Sequence, residues 1–138
     1  MFNDVVITKV KQWVAFADDD LQFAQDGLTV TKKPSYRLIA FHAQQCAEKY
    51  LKAFLVFKNV DFPYTHNISV LLELCEKYTS WTGELKDADL LSPFAISSRY
   101  PGEDEEVTRD EAVNAIFIAT NVKNVIRNGL KQEGIDII

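Results

Sequence analysis

Three small groups of residues in this chain of 138 have the types and spacing to do chemistry. The first is His42, Gln45, Lys49 and Lys52, set at steps of three, four and three in a stretch free of Gly and Pro. On a helix they line one flank and can act together. The stripe reads either as a solvated face with a half-buried His, or as a surface that meets a second subunit or an anionic ligand. The second group is Arg99-Tyr100-Pro101. A guanidinium beside an aromatic ring, at a helix end that opens into a loop, suits a phosphate or a stacked base. The helix dipole alone also favours an Arg there. The third is His66, at a loop-to-helix junction, where a His serves as a cap or packing residue as readily as a proton carrier. The expected nucleotide- or phosphate-binding set is therefore Arg99, Tyr100, His42, Lys49 and His66, with no residue assigned as catalytic.

Other chemistries are missing from the sequence. Glycines stand singly, so neither a P-loop nor a dinucleotide fingerprint is present. No Gly-x-Ser-x-Gly elbow occurs. Two His and two Cys are scattered without metal-ligand spacing, so neither a metal nor a cofactor is expected. Cys46 and Cys75 fall on core-facing helical positions and read as buried thiols in a reducing compartment. Glu103, Asp104, Glu105 and Glu106 form an acidic run that reads as a solvated loop. The net charge of −5 argues against broad electrostatic binding of nucleic acid, but leaves room for a local basic cleft. No apolar run is long enough to span a bilayer and no secretory segment is evident, which places the protein in the cytoplasm.

The elements that must position these groups are helices. About half the residues are apolar, and only five Gly and four Pro punctuate the chain. The length suits one domain over residues 1–138, with a single core. Val10, Val14, Ala17, Leu21, Ala24 and Leu28 predict a first helix over residues 3–26, stopped by Gly27, with Asp18, Asp19 and Asp20 on a solvated face. Ser35 caps a second helix reaching residue 58, whose stripe is Ile39, Ala43, Cys46, Tyr50, Ala53 and Phe57. Thr65 or Asn67 caps a third, with Ile68, Leu71, Leu72, Cys75 and Tyr78 on one face. The fourth is irregular. Leu85, Leu90, Leu91, Phe94 and Ile96 keep a helical phase, but Pro93 either kinks it or starts a fresh turn, and Pro101-Gly102 stops it. Thr108-Arg109-Asp110-Glu111 is a capping box that opens a fifth helix carrying Ala112, Ile116, Ala119, Val122, Ile126 and Leu130. The sum is an all-α, antiparallel up-and-down bundle of four to five helices, with broad stripes that fit a homodimer.

The run from Phe41 through Gln44-Gln45-Cys46-Ala47-Glu48-Lys49-Tyr50-Leu51-Lys52 to Ala53 resembles the signature of HEPN-domain proteins. Pro63-Tyr64-Thr65-His66 with Leu71-Leu72 resembles that family's Pro-x-Thr-His segment, and Ser98-Arg99-Tyr100-Pro101 its Ala-Arg-Tyr-Pro segment. The likeness runs from about Val10 to Leu130. It implies a dimerising helical bundle of the small stand-alone prokaryotic type. It also implies a partner, a minimal nucleotidyltransferase, in a toxin–antitoxin or related module. Many HEPN domains are metal-independent ribonucleases whose motif is an Arg followed, after four to six residues, by a His. Here the matching positions after Arg99 are Asp104, Glu105 and Glu106. Arg37 and His42 match by letters alone, since five positions along one helix set them about 140° apart. The resemblance thus leaves ribonuclease activity open. It implies a nucleotide- or RNA-phosphate-binding and partner-binding module, and as alternative an RNA-cleaving toxin that uses Arg99 with a non-standard base such as His66 or His42. Tyr100 matches the tyrosine that the partner nucleotidylates in similar systems.

Overall fold

The computed structural model describes residues 3–95 and 106–137. These form α1 (Asp4–Thr29), α2 (Tyr36–Phe57), α3 (Ile68–Glu76), a 3₁₀ segment (Trp81–Ala95) and α4 (Arg109–Gln132). Among the described residues there is no strand, as the scarcity of turn residues predicts.

Each boundary has a local cause. Asn3 caps α1 by accepting from the Val5 amide, and Ser35 caps α2 by accepting from Leu38. Asn67, rather than Thr65, caps α3. Thr65 instead accepts from the Asn67 amide. The expected capping box opens α4, with Thr108 and Glu111 each satisfying the other's backbone N–H at 3.1 Å. α2 and α4 both end in the paired backbone bonds of a Schellman motif: Val60 to Leu55 and Asn59 to Val56 in one, Ile135 to Leu130 and Gly134 to Lys131 in the other. Their left-handed residues are Asn59 (φ 57°) and Gly134 (φ 95°).

Two expectations need correction. Gly27 does not stop α1, which continues to Thr29. A Cβ at Gly27 would lie 3.0 Å from Ile39 Cγ1, so the missing side chain lets α1 and α2 approach. The fourth element is 3₁₀ rather than α, and its backbone break is at Leu85 (φ −114°, ψ 22°) rather than at Pro93. Its buried residues are Leu85, Ala88 and Leu91. Steps of three match three residues per turn and would drift off the face of an α-helix. The expected continuation through Ile96 and Arg99 to Gly102 lies outside the described residues.

α2 is the centre of the packing. Ile39, Ala43, Cys46, Ala47, Tyr50, Leu51, Phe54 and Leu55 are all essentially inaccessible. α1 runs antiparallel to it, pairing Asp18 with Tyr50 and Gly27 with Ile39. α4 lies along α2 in the same direction, since Ile39 clusters with Ala112, Tyr50 meets Arg127, and Lys58 meets Glu133. The link between α2 and α3 makes this possible. It turns back along α2, with Phe62 edge-on to Trp13 and His66 level with Glu48.

Candidate functional site

The polar residues of α2 separate into two networks on different flanks. On the flank toward the middle of α1, one carboxylate serves two partners. Asp20 accepts from His42 Nδ1 at 2.8 Å through one oxygen and from Lys49 through the other. His42 and Lys49 are two helical turns apart, so both reach the same side chain. Phe23 and Phe41 flank the imidazole, with ring centroids at 4.3 and 5.1 Å. This is a tie between two helices, packed by aromatics.

The second network is buried. Gln44, Glu48 and Lys52 lie at i, i+4 and i+8 and are 0, 3 and 6% exposed. Such groups are costly inside a protein unless paired. The pairing is complete. Glu48 Oε1 accepts from Gln44 Nε2 at 3.1 Å and bonds His66 Nδ1 at 2.7 Å, and Oε2 accepts from Lys52 Nζ at 3.0 Å. Gln44 Nε2 also donates to the His66 carbonyl at 3.1 Å, and Gln45 donates to Gln44 Oε1 at 2.8 Å. The Lys52 ammonium lies 5.8 Å from the Trp13 ring centre and 5.7 Å from that of Phe62, within cation–π range. A carboxylate offers only acceptors, so His66 Nδ1 carries the hydrogen of this bond, and in the neutral tautomer Nε2 is the acceptor. The imidazole side chain is 43% exposed. The exposed Tyr64 ring stands edge-on to it at 5.4 Å.

His66 stands just before α3, whose start is fixed from a third direction. Ser92 Oγ accepts from the Ile68 amide and Asp89 Oδ1 from the Ser69 amide, both at 3.1 Å. The last turn of the 3₁₀ segment therefore lies against the residues that follow His66.

A third cluster joins α1, α2 and α4. Arg127 donates to Asp18 Oδ2 at 2.7 Å, to the Tyr50 hydroxyl at 3.0 Å and to the Ile137 carbonyl at 2.8 Å. Tyr50 donates to the other Asp18 oxygen, and Lys123 lies 3.3 Å from it. Burial works against the Asp18 charge, but the bonds from Tyr50 and Arg127 and the charges of Lys123 and Arg127 outweigh it and hold the carboxyl below its usual range. Burial, then the bond to Asp18, pushes the Tyr50 hydroxyl up.

Of the residues singled out in the sequence, the structure brings His42 and Lys49 together on Asp20 and sets His66 apart on Glu48. Arg99 and Tyr100 lie outside the described residues, as do Glu103, Asp104 and Glu105. Glu106 is exposed. Two readings change. Lys52 is buried rather than part of a solvated stripe, and of the three consecutive aspartates only Asp19 is solvated. Glu48 and Gln44 were missed, although Gln44-x-x-x-Glu48-x-x-x-Lys52 is a spacing that pairs side chains along a helix. The Asp18–Tyr50–Arg127 cluster leaves no local signal, because Asp18 is separated from its two partners by 32 and 109 residues. Cys46 and Cys75 are buried free thiols, as expected. Among the described residues no group of three metal-ligating side chains occurs, and no helix is long and apolar enough to cross a membrane.

Known proteins resemble this chain in sequence and in fold. A protein of Methanocaldococcus jannaschii named "Putative toxin MJ1304" is 29% identical over 144 aligned positions, covering 92% of this chain and 91% of its own. The crystal structure of TT1696 from Thermus thermophilus superposes with a TM-score of 0.75 at 25% identity, covering 87% of this chain and 97% of that one. Residues 10–129, which contain α2, the His66 junction, the 3₁₀ segment and most of α4, match the HEPN domain, and the chain belongs to that family.

Proposed function

We propose that the protein is a toxin-like HEPN module that binds a nucleotide or RNA phosphate, assembles as a homodimer, and pairs with a nucleotidyltransferase-type protein. The observation that carries the reading is the near full-length likeness to a relative named as a toxin, within a matched HEPN domain. Within this reading, Asp20 already engages Lys49 and His42. Phosphate recognition therefore falls to Arg99, Tyr100 and His66.

The test has two parts. Expression of the chain alone arrests growth, and co-expression of the protein encoded by the adjoining gene relieves the arrest and co-purifies with it. Purified protein, dimeric in sedimentation, binds labelled single-stranded RNA, and Arg99→Ala weakens that binding at least tenfold. Unimpeded growth together with no RNA or nucleotide binding by the dimer would overturn the reading.

A further inference from the structure

We propose that the groove between the C-terminal half of α4 and the start of the 3₁₀ segment binds an extended peptide segment of a partner protein, held through its backbone and carrying a basic residue. The groove encloses about 530 Å³. Asn124, Asn128 and Gln132 line one side, and Ser80, Trp81 and Glu84 the other.

The asparagines of α4 point to a ligand. Elsewhere each described asparagine occupies a position that suits it. Asn3 and Asn67 cap helices, and Asn59 takes a left-handed turn. Inside α4 stand Asn114, Asn121, Asn124 and Asn128, all exposed. Asparagine is a poor residue for a helix interior, where Ala, Lys or Glu would serve an exposed face better. Asn121 has a structural use, since its Nδ2 donates to the Glu84 carbonyl at 3.3 Å and ties the 3₁₀ segment to α4. The side chains of Asn124, Asn128 and Gln132 bond no described residue, so the fold does not account for them.

Their spacing fits a peptide. They stand at i, i+4 and i+8, so successive amides are about 6 Å apart along α4. In an extended chain the N–H and C=O of every second residue face the same side, repeating at about 6.7 Å. A primary amide offers an acceptor and two donors, which match the N–H and C=O of one such residue. The row of amides can thus hold alternate residues of one extended stretch.

The facing side is already in place. Trp81 is edge-on to Phe54 with ring centroids 4.8 Å apart, and its indole covers Gly129, where a Cβ would fall 2.7 Å from Nε1. A groove formed in advance lowers the cost of ordering on binding. Its lining holds one formal charge, the Glu84 carboxylate, which pairs with no described cation. A nucleic acid strand would meet that charge with no cation to offset it. A Lys or Arg of a peptide would complement it.

The test uses the full chain and a phage-displayed library of random peptides of about nine residues, long enough to span the amide row. The library is first depleted on the triple variant Asn124→Ala, Asn128→Ala, Gln132→Ala. That variant is expected to match or exceed wild type in thermal unfolding, because alanine favours the helix, so lost binding is not lost folding. The selected peptides should share a Lys or Arg at one fixed position and bind the triple variant about tenfold or more weakly than wild type in fluorescence anisotropy. Glu84→Gln removes the preference for the basic residue. N-methylation of every second backbone amide abolishes binding in one register and spares it in the other. No enrichment over the triple variant, equal affinity for it, or equal loss in both N-methyl registers overturns the proposal. So does guanosine that shifts the Asn124 and Asn128 side-chain amide signals where no peptide does, which would make the groove a base site. The RNA-phosphate reading, which uses Arg99, Tyr100 and His66, stands or falls separately.

Discussion

At the scale of single residues, the informative positions are polar groups that the fold has withdrawn from water. Glu48 and Lys52 stabilise the fold only as a pair. Removing one partner of a buried pair costs about 3–5 kcal/mol, because the other charge stays buried. Glu48→Gln is expected to lose stability on that scale in urea unfolding, and the double variant Glu48→Gln with Lys52→Met to regain much of it. Additive losses would mean that the two side chains are not coupled. Asp18 behaves differently, because its folded carboxyl titrates below its unfolded value. Its contribution is complete above the ordinary carboxylate range near about 3.9 and disappears as pH falls through the lower folded value. Asp18→Asn should therefore be less stable than wild type at pH 7, with the gap closing in acid. A gap that is constant with pH would remove the ion cluster as its cause. The thiols offer a third check. Burial pushes Cys75 up to about 12 and Cys46 higher still. Both should resist a thiol-reactive dye at pH 8 until the chain is unfolded, since the thiolate is the reactive species.

At the scale of elements, the ends of the helices and their apolar stripes were legible in the sequence, and the pairing of charged residues was not. Ser35 and the Thr108–Glu111 box act through bonds to backbone groups within a few positions, so local sequence carries them. Thr108→Ala should cost about 1 kcal/mol, read from chemical denaturation. The stripes of α1, α2 and α4 repeat at three and four, and the structure buries nearly all of them. Gly27 misled because a Gly near a helix end has two uses, a stop or a close approach, and only the position of Ile39 decides between them. The 3₁₀ segment misled because Leu90 and Phe94 sit four apart, as on an α-helix, whereas the side chains actually buried, Leu85, Ala88 and Leu91, step by three, and Ala88 is too small to mark that period in the sequence. The partners of Asp18 and Glu48 depend on which helix lies beside which, and no local spacing encodes that. The same gap hid the candidate site. His66 stood out as a residue, but the carboxylate that gives it a direction lies 18 positions away.

At the scale of the whole molecule, the fold places nearly all its tertiary information on α2. Every other element packs on this helix, and its own residues from Ile39 to Leu55 are mostly inaccessible. Three polar ties, through Asp20, Glu48 and Tyr50, leave it in three directions, toward α1, the His66 junction and α4. This layout sets an order of local stability. Opening α2 exposes the core as a unit, whereas the 3₁₀ segment buries only three side chains and is broken at Leu85. Amides of α2 between Ala43 and Leu55 should exchange with solvent only through global unfolding, and those of the 3₁₀ segment faster by opening on their own. If the 3₁₀ amides were protected as strongly as α2, the segment that precedes Arg99 would belong to the rigid core. Faster exchange instead marks the 3₁₀ side of the His66 junction as the part that can adjust to a ligand while α2 holds Glu48 in place. A binding site at that junction needs such a division, because one wall must hold its shape while a ligand is admitted and released. Exchange measured with and without RNA tests it directly, with slowing expected in the 3₁₀ segment and none in the core of α2.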